Sequence, residues 1–396
     1  MFPGRPPPDA FRFPLPARNF PLAMTFTLAF IAHEVRRHGG QERAAAEIIA
    51  RVAHRVPVTV IAARCEVPDA PVTFSPIAAP RRPLVIGSWQ FARAARTAER
   101  RAGCSITNAI GAAAFDADVV TAQYCHAAFT ARFGGLRGGS VLGKAWQRFA
   151  QQVFVRQERR AYGSSRLRRV IAVSHGTARE LHEYYGVPHD RIAVVPNGVD
   201  HAVFHPAAGP EAKRALRAEL GLSDSTFVAL FCGGDWERKG LRDAIDALVG
   251  LPDTLLCVVG AGDEVAFREH AAARGVASQV RFVGRTTTPQ QWYSAADVLV
   301  HPSRYEAFSL VTLEGAASGL PIIAHAINGT EELVDTGVNG YLTEFGGDAL
   351  RVPLLALRDD AAKRAQMSAA ILERSRRYAW DRVAGEYFDV LAEAAR

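Results

Sequence analysis

Short apolar stretches alternate with amphipathic stretches along most of this chain, and the alternation predicts repeated strand–helix units. In the first half, residues 41–54 and 177–186 have helical spacing, with Ser174 or Thr177 as the cap of the second helix and Gly186 at its end. The apolar stretches around them predict strands at 25–32, 56–63, 117–125 and 168–174. Strands that alternate with helices are typical of parallel sheets.

The same alternation starts again after residues 194–212, a stretch rich in Pro, Gly and His that we interpret as a linker between domains. In this second half the sequence predicts a helix over 309–318 and a turn that residues 339–342 close. The predicted strands of this half lie at 227–234, 254–262, 280–285, 297–303 and 321–325. The two halves therefore resemble two versions of one doubly wound architecture.

A length of 396 residues also fits two domains. The predicted fold class is α/β, with two Rossmann-like, doubly wound parallel-sheet domains over residues 24–200 and 201–376. Residues 377–396 predict a C-terminal helix that crosses back toward the N-terminal domain. The apolar face of this helix consists of Trp380, Val383, Tyr387 and Val390.

Residues 1–23 are rich in proline and lack the apolar segment of a secretory signal, so we expect them to be disordered. Met24 directly precedes the first predicted strand, and we hypothesise that it is the true start. Five scattered cysteines without a CxxC pair favour reduced thiols in the cytosol. Since no apolar run approaches the roughly 18 residues that span a bilayer, we expect a cytoplasmic protein or one held peripherally on the inner face of the membrane.

Basic residues are concentrated in the first half of the chain. Residues 1–200 contain 27 Lys and Arg against 14 Asp and Glu, whereas residues 201–396 contain 20 against 26. The halves carry net charges of +13 and −6, which make up the +7 of the whole chain. This asymmetry favours an anionic partner for the first half, with a solvated arginine-rich surface as the alternative.

Candidate chemical groups follow the predicted strands of the second half, where open α/β sheets bind their ligands. Arg238 and Lys239 are adjacent cations in a loop that opens a helix, and such a loop suits a phosphate or a diphosphate. Glu306 precedes the helix predicted over 309–318, and Glu314 lies inside it. Each glutamate alone is explained by an ordinary surface or capping role, but the four charges together favour a ligand site.

Six sequence motifs, taken together, resemble retaining GT-B glycosyltransferases of family 4. They are HGGQER (38–43), the segment at 170–200, GGDWERKG (233–240), VGAGDE (259–264), HPSRYEAFSLVTLEGAASGLPIIAH (301–325) and GTEELVDTGVNGYL (329–342). The resemblance covers residues 24–396, and GGDWERKG and HPSRYEAF are most similar to bacterial lipopolysaccharide-core glucosyltransferases. It implies a GT-B fold in which two domains face each other across a cleft.

The resemblance also implies a nucleoside diphosphate sugar as donor, with a UDP-sugar favoured. Arg238 and Lys239 are expected to neutralise its diphosphate, helped by N–H groups at the start of the helix near Phe308, Ser309 and Leu310. No Asp-x-Asp motif lies near these positions, so we expect no cofactor and no metal.

The remaining expected contacts follow from the same resemblance. Glu314 is expected to bind the ribose, Glu306 the donor sugar near its reacting carbon, and the loop at Gly284 and Arg285 the base. Since we find no convincing nucleophile, we expect attack from the same face, with the departing phosphate as base. Glu306 then has an orienting and electrostatic role.

The first domain is expected to provide the acceptor side of the cleft. Gly39 and Gly40 let the backbone approach the diphosphate and the transferred sugar, although an ordinary tight turn is the alternative. By resemblance, His126 hydrogen-bonds the donor sugar near C6. A structural histidine is the alternative there.

Residues 141–160 combine an apolar stripe with basic residues. The stripe consists of Leu142, Ala145, Trp146, Phe149 and Val153. We expect the stripe to pack internally, while the cations bind an anionic or membrane-anchored glycan acceptor. Peripheral contact of this region with an anionic membrane is the alternative.

Three other functions remain open at this stage. The first keeps the fold and changes the chemistry to an NDP-sugar epimerase or a phosphorylase-like enzyme. The second is a non-catalytic nucleotide-sugar-binding protein, which the intact Arg238, Lys239, Glu306 and Glu314 disfavour. The third, a nucleic-acid binder, ranks last because the basic region has no recognition motif, and we expect no nucleic-acid partner.

Overall fold

The computed structural model describes residues 26–67, 69–78, 84–133 and 141–396. The proline-rich segment at 1–23, and Met24, lie outside the described residues. The structure contains two separate parallel sheets, each with helices on its faces, and so confirms the predicted α/β class with two Rossmann-like domains. Within the described ranges, no helix combines the length and the apolar character needed to cross a bilayer.

The first domain contains a seven-stranded parallel sheet. Its strands are β1 (Leu28–Ile31), β2 (Val58–Ala62), β3 (Val72–Pro76), β4 (Ile106–Ile110), β5 (Val119–Ala122), β6 (Arg169–Ala172) and β7 (Ile192–Val194). Its helices are α1 (Gln41–Val52), α2 (Leu84–Ala102), α3 (His126–Phe133), α4 (Val141–Tyr162) and α5 (His175–Tyr185). The strand order β3-β2-β1-β4-β5-β6-β7 reverses direction between β1 and β4.

The second domain contains a six-stranded parallel sheet in the order β10-β9-β8-β11-β12-β13. Its strands are β8 (Phe227–Cys232), β9 (Thr254–Val259), β10 (Val280–Gly284), β11 (Val298–His301), β12 (Ile322–His325) and β13 (Gly340–Thr343). Its helices are α6 (Pro210–Glu219), α7 (Leu241–Asp246), α8 (Glu264–Ala273), α9 (Pro289–Ala295), α10 (Leu310–Ala317), α11 (Thr330–Leu333), α12 (Gly347–Asp359) and α13 (Ala361–Ser375). The order reverses between β8 and β11, and such a switch point opens a crevice at the carboxyl ends of the strands.

A final helix, α14 (Trp380–Ala394), packs on the first domain. Its Tyr387 hydroxyl lies 2.6 Å from the Thr121 hydroxyl of β5, and its Phe388 ring stacks on Phe26 at 5.7 Å. Where the chain crosses between domains, the Val199 N–H donates to the Tyr378 carbonyl at 2.8 Å. The two segments that connect the domains, one near Val199 and one near Tyr378, therefore run side by side.

Local capping explains one helix well. Ser174, one of the two predicted caps, accepts a hydrogen bond from the Thr177 N–H, and Gly186 ends α5 with a φ of 68°. The linker is shorter than the predicted 194–212, because Val194 ends β7 and Pro210 begins α6. Glycine and proline at 209 and 210 are a helix-start signal.

The expected turn ends at Asn339, and Gly340–Thr343 then forms β13, which pairs with Ile322–His325 of β12. One other sequence expectation is wrong. The stripe at 141–160 does not pack internally throughout: the side chains of Trp146 and Phe149 are 53% and 52% exposed. Only the second half of α4 contributes a buried side chain of the stripe, Val153, and Leu142 lies outside the described side chains.

Candidate functional site

Two loops of the second domain, one after β8 and one after β11, are joined at the crevice. The Arg304 N–H donates to the Arg238 carbonyl at 2.9 Å and links the loops. The aliphatic stem of Lys239 lies against Gly233, where a Cβ would come within 2.7 Å of the Lys239 Cδ. Gly233 also has a φ of 127°, which favours glycine. The backbone thus places Arg238 and Lys239 beside the end of β11.

Both cations contact Glu306. Lys239 Nζ lies 2.9 Å and Arg238 Nη1 lies 3.1 Å from Glu306 Oε1, which also accepts from the Ser303 hydroxyl at 3.1 Å. Arg238 further pairs with Asp235 at 3.1 Å. The two cations and the two carboxylates balance in charge. A diphosphate would therefore be attracted by directed N–H donors more than by net charge.

The electrostatics of Glu306 favour its ionised form. Burial would raise the pKa of Glu306, but the charges of Lys239 and Arg238 outweigh this effect and hold that pKa well below its ordinary value. His301 Nε2 lies 3.9 Å from the same oxygen. Burial, aided by the charge of Lys239, lowers the pKa of His301 to about 3, so this imidazole is neutral at pH 7.

Glu314 lies inside α10 and is buried, with both carboxylate oxygens engaged. Arg43 Nη2, from α1 of the first domain, donates to Glu314 Oε1. The Tyr293 hydroxyl of α9 donates to Glu314 Oε2 at 2.7 Å. This carboxylate is therefore held by both domains.

The N-terminus of α10 lies between the two glutamates in the sequence. Ser309 is its N-cap residue, and the N–H groups of the first helical turn have no partner within a helix. Phe308 is buried, and its carbonyl accepts from Asn197 Nδ2 at 2.8 Å. Asn197 also exchanges hydrogen bonds with Gln123, which directly follows β5. The start of α10 is thus tied to the carboxyl edge of the first sheet.

The first domain contributes an aromatic and carboxylate cluster on its side of the cleft. His126 Nδ1 lies 2.8 Å from Glu158 Oε1, and the Tyr185 hydroxyl donates to the other oxygen of Glu158. The Tyr124 ring lies between the His126 ring, at 4.8 Å, and the Tyr305 ring of the second domain, at 4.9 Å. The Tyr124 ring therefore separates His126 from Tyr305, the residue that precedes Glu306.

The remaining candidates are glycines and one arginine in loops. Gly39 has a φ of 96° and precedes Gly40, the N-cap of α1, so both stand next to the helix that carries Arg43. Among the described residues, nothing lies within 4 Å of a Cβ built on Gly40, so local packing does not require glycine there. Gly284 ends β10 and accepts from the Gly260 N–H at 2.8 Å, and Arg285 after it is exposed.

The structure brings Arg238, Lys239 and Glu306 into direct contact. Glu314 contacts Arg43 instead, a residue that the sequence reasoning did not single out although it ends the HGGQER motif. Four further contacts were missed, and their residues lie in or next to the quoted motifs or on a neighbouring helix. They are Gly233, Tyr293, Ser303 and Glu158.

Two family models match the chain. Residues 38–203 match Glycosyltransferase Family 4, and residues 212–374 match Glycosyl transferases group 1. Together these ranges include most of both domains.

Curated relatives match over a shorter length. D-inositol 3-phosphate glycosyltransferase from Xylanimonas cellulosilytica is 36% identical over 239 residues, which are 57% of each chain. The protein of the same name from Thermobispora bispora is 34% identical over 244 residues, which are 57% of this chain and 56% of that one. The chain thus matches little more than half the length of these relatives.

Solved structures share the whole fold at low sequence identity. WaaG, a glycosyltransferase involved in lipopolysaccharide biosynthesis, has a TM-score of 0.77 at 20% identity, with 92% of this chain and 99% of that chain covered. Anabaena HepE in complex with UDP and glucose has a TM-score of 0.73 at 20% identity, with 93% and 100% covered. The chain belongs to the GT-B glycosyltransferases, with a family 4 domain followed by a group 1 domain.

Proposed function

We propose that this protein is a retaining hexosyltransferase that moves a sugar from a nucleoside diphosphate sugar to a hydroxyl group of an anionic acceptor. The observation that carries the proposal is the contact of Arg238 and Lys239 with Glu306 at the switch point of the second sheet. The N-terminus of α10 follows in the same loop. Directed N–H donors beside a helix N-terminus suit a diphosphate.

The chemistry assigned to these residues is electrostatic. Cleavage of the bond between the anomeric carbon and the phosphate oxygen leaves additional negative charge on the diphosphate. Arg238 and Lys239, placed in advance, stabilise that charge more in the transition state than in the ground state. The acceptor hydroxyl attacks from the same face, and its proton passes to the departing phosphate oxygen. Glu306 orients the hydroxyls of the sugar.

The other proposed contacts surround this centre. Glu314 takes the ribose hydroxyls, and the base lies along Gly284 and Arg285. Backbone groups at Gly39 and Gly40 approach the diphosphate and the sugar. His126, oriented by its 2.8 Å contact with Glu158, donates to the sugar near C6.

The donor is proposed to be a UDP-sugar that binds without metal or cofactor. Its support is the fold shared with HepE, whose structure contains UDP and glucose. The test is a thermal-shift panel of UDP-, GDP-, ADP- and TDP-sugars in EDTA. We expect UDP-sugars to raise the melting temperature most, because a ligand of the folded state stabilises it. Failure of all four classes to shift it would overturn the proposal.

The acceptor is proposed to be a phosphorylated or membrane-anchored glycan, or a smaller phosphorylated polyol. The +13 charge of residues 1–200 supports an anionic acceptor. Relatives named for D-inositol 3-phosphate and for lipopolysaccharide biosynthesis supply the candidates. Transfer of labelled sugar to each candidate tests them. Formation of an epimerised sugar without any acceptor would identify the epimerase alternative instead.

Peripheral contact with the inner face of the cytoplasmic membrane is a separate proposal. The exposed Trp146 and Phe149 rings lie 5.6 Å apart on α4, beside the exposed Arg148 and Arg156. Aromatic side chains among cations suit an anionic bilayer surface. We expect sedimentation with anionic liposomes but not with neutral ones, and W146S/F149S should reduce it. Equal, negligible binding to both would contradict the proposal.

A further inference from the structure

Arg43 of α1 forms an ion pair with Glu314, a nominated site residue of the second domain. It is the third residue of α1 and follows the Gly39-Gly40 loop. Its guanidinium forms an ion pair with Glu314, whose side chain is 7% exposed. The chemistry proposed above gives Arg43 no role.

Glu314 is buried and Arg43 is partly buried, so each charge depends on the other. Burial would lower the pKa of Arg43, but the charge and hydrogen bond of Glu314 outweigh this effect and raise it. Loss of one member of a buried pair leaves the other charge without compensation. The Glu314 carboxylate would then be free to move.

The carboxylate is held at both of its oxygens. Arg43 engages Oε1 and Tyr293 engages Oε2, one from each domain. An ionised carboxylate has about four acceptor positions. Two donors therefore leave capacity for two more, the number that the 2′- and 3′-hydroxyls of a ribose would need.

We infer that Arg43 is a positioning residue for ribose recognition: it holds Glu314 from across the cleft, so that the ribose is bound well only when both domains are together. The inference rests on the proposed function, which assigns the ribose to Glu314. It adds a side chain of the first domain to ribose recognition, which the proposed contacts otherwise assign to Glu314 of the second domain.

The test compares one nucleotide with and without its ribose hydroxyls. Calorimetry measures the Kd of UDP and of 2′,3′-dideoxy-UDP, or of the corresponding pair for the nucleotide that binds best in the panel. In the wild type we expect the dideoxy form to bind roughly 10- to 100-fold more weakly, because hydrogen bonds to a charged group are lost. In R43Q the ratio should fall to within a few fold, and R43K should restore part of it.

A matched control lies on the same helix. Arg51 pairs with the exposed Asp381, and R51Q should leave the ratio of the two Kd values unchanged. R43Q/E314Q should show a ratio close to that of E314Q alone, because Arg43 acts through Glu314.

The outcomes separate the two proposals. An R43Q protein that binds both nucleotides more weakly by the same factor, with an unchanged ratio, would make Arg43 purely structural and overturn the inference. If R43Q fails to fold, the two Kd values are measured for R43K and for E314Q instead. A ratio unchanged from the wild type in both of these variants overturns the inference. A wild type that binds none of the nucleotides overturns the proposed function itself.

Discussion

Glu306 and Glu314 stand on opposite sides of the N-terminus of α10, and they are neutralised in different ways. Glu306 contacts Lys239 and Arg238, both from its own domain. Glu314 contacts Arg43 from the other domain. The surroundings of Glu306 are thus complete within one Rossmann-like unit, whereas those of Glu314 exist only when the two domains meet. The cations at the first site are those that we propose to bind the diphosphate, while the cation at the second pairs with a buried carboxylate.

The largest expected effect is at the cations of Glu306. Lys239→Met removes the donor that we propose for the diphosphate, and we expect a loss of roughly 100- to 1,000-fold in kcat, as for one preorganised transition-state donor. Steady-state transfer assays measure it. Arg242→Met is the matched control, since Arg242 pairs with Glu237 at 2.9 Å near the surface. Equal kcat values for K239M and R242M would show that Lys239 does not act on the diphosphate.

Glu332 is a third carboxylate, and its pKa shows the effect of burial where the described residues provide no ion pair with a cation. It accepts the N–H groups of His175, at 2.8 Å, and Gly176, at 3.4 Å, across the domain boundary. Burial raises the pKa of Glu332 from 4.5 to about 7, although these N–H groups oppose the shift. The folded state therefore binds a proton more tightly than the unfolded state.

The sign of the effect of Glu332 on stability follows from that raised pKa. Its contribution to the free energy of unfolding is fully present below pH 4.5 and is lost as the pH rises to about 7. The loss is at most about 3 kcal/mol. Melting temperatures of wild type and E332Q from pH 5 to pH 8 measure it, and the wild type should lose more. E211Q, at a glutamate whose side chain is 94% exposed, is the control; parallel curves for wild type and E332Q would contradict the prediction.

The two glutamates of the site should respond oppositely to neutralisation. E314Q removes the acceptor proposed for the ribose, and we expect UDP to bind roughly 10- to 100-fold more weakly. E306Q releases Lys239 and Arg238 from a competing carboxylate, so UDP should bind roughly two- to fivefold more tightly, the scale of one net hydrogen bond. Transfer should nevertheless fall. Calorimetry measures both affinities, and weaker binding in both variants would show that the sites do not differ in this way.

The same contrast explains what could be predicted from the sequence. Arg238, Lys239 and Glu306 follow strands of one parallel sheet, and carboxyl ends of neighbouring strands meet at one edge, so their proximity follows from the strand pattern. The ion pair of Arg43 with Glu314 joins residues 271 positions apart. Its formation depends on how two domains face each other, and no local pattern encodes that.

Strand β4 was missed for a related reason. Its Thr107 and Asn108 interrupt the apolar pattern expected of a central strand. Both are buried because distant residues satisfy them: Glu99 accepts from the Thr107 hydroxyl at 2.7 Å, and Tyr387 of α14 contacts the Asn108 amide. A buried polar residue costs little once it is hydrogen-bonded. The pattern alone does not contain that tertiary information.

The smallest effect is expected where a similar ion pair between residues far apart in the sequence is exposed. Arg51 Nε, on the same helix as Arg43, lies 2.7 Å from Asp381 of α14, whose side chain is 91% exposed. Arg51 also pairs with Glu47 at 2.6 Å, so it keeps a partner without Asp381. We expect D381N to change the free energy of unfolding by roughly 0.2–1 kcal/mol, because water screens exposed ion pairs. Chemical denaturation measures the change, and UDP affinity should be unaltered. The free energy of unfolding of R43Q is measured in the same way, and an equally large change in D381N would show that burial of the carboxylate is not what distinguishes the two pairs of α1.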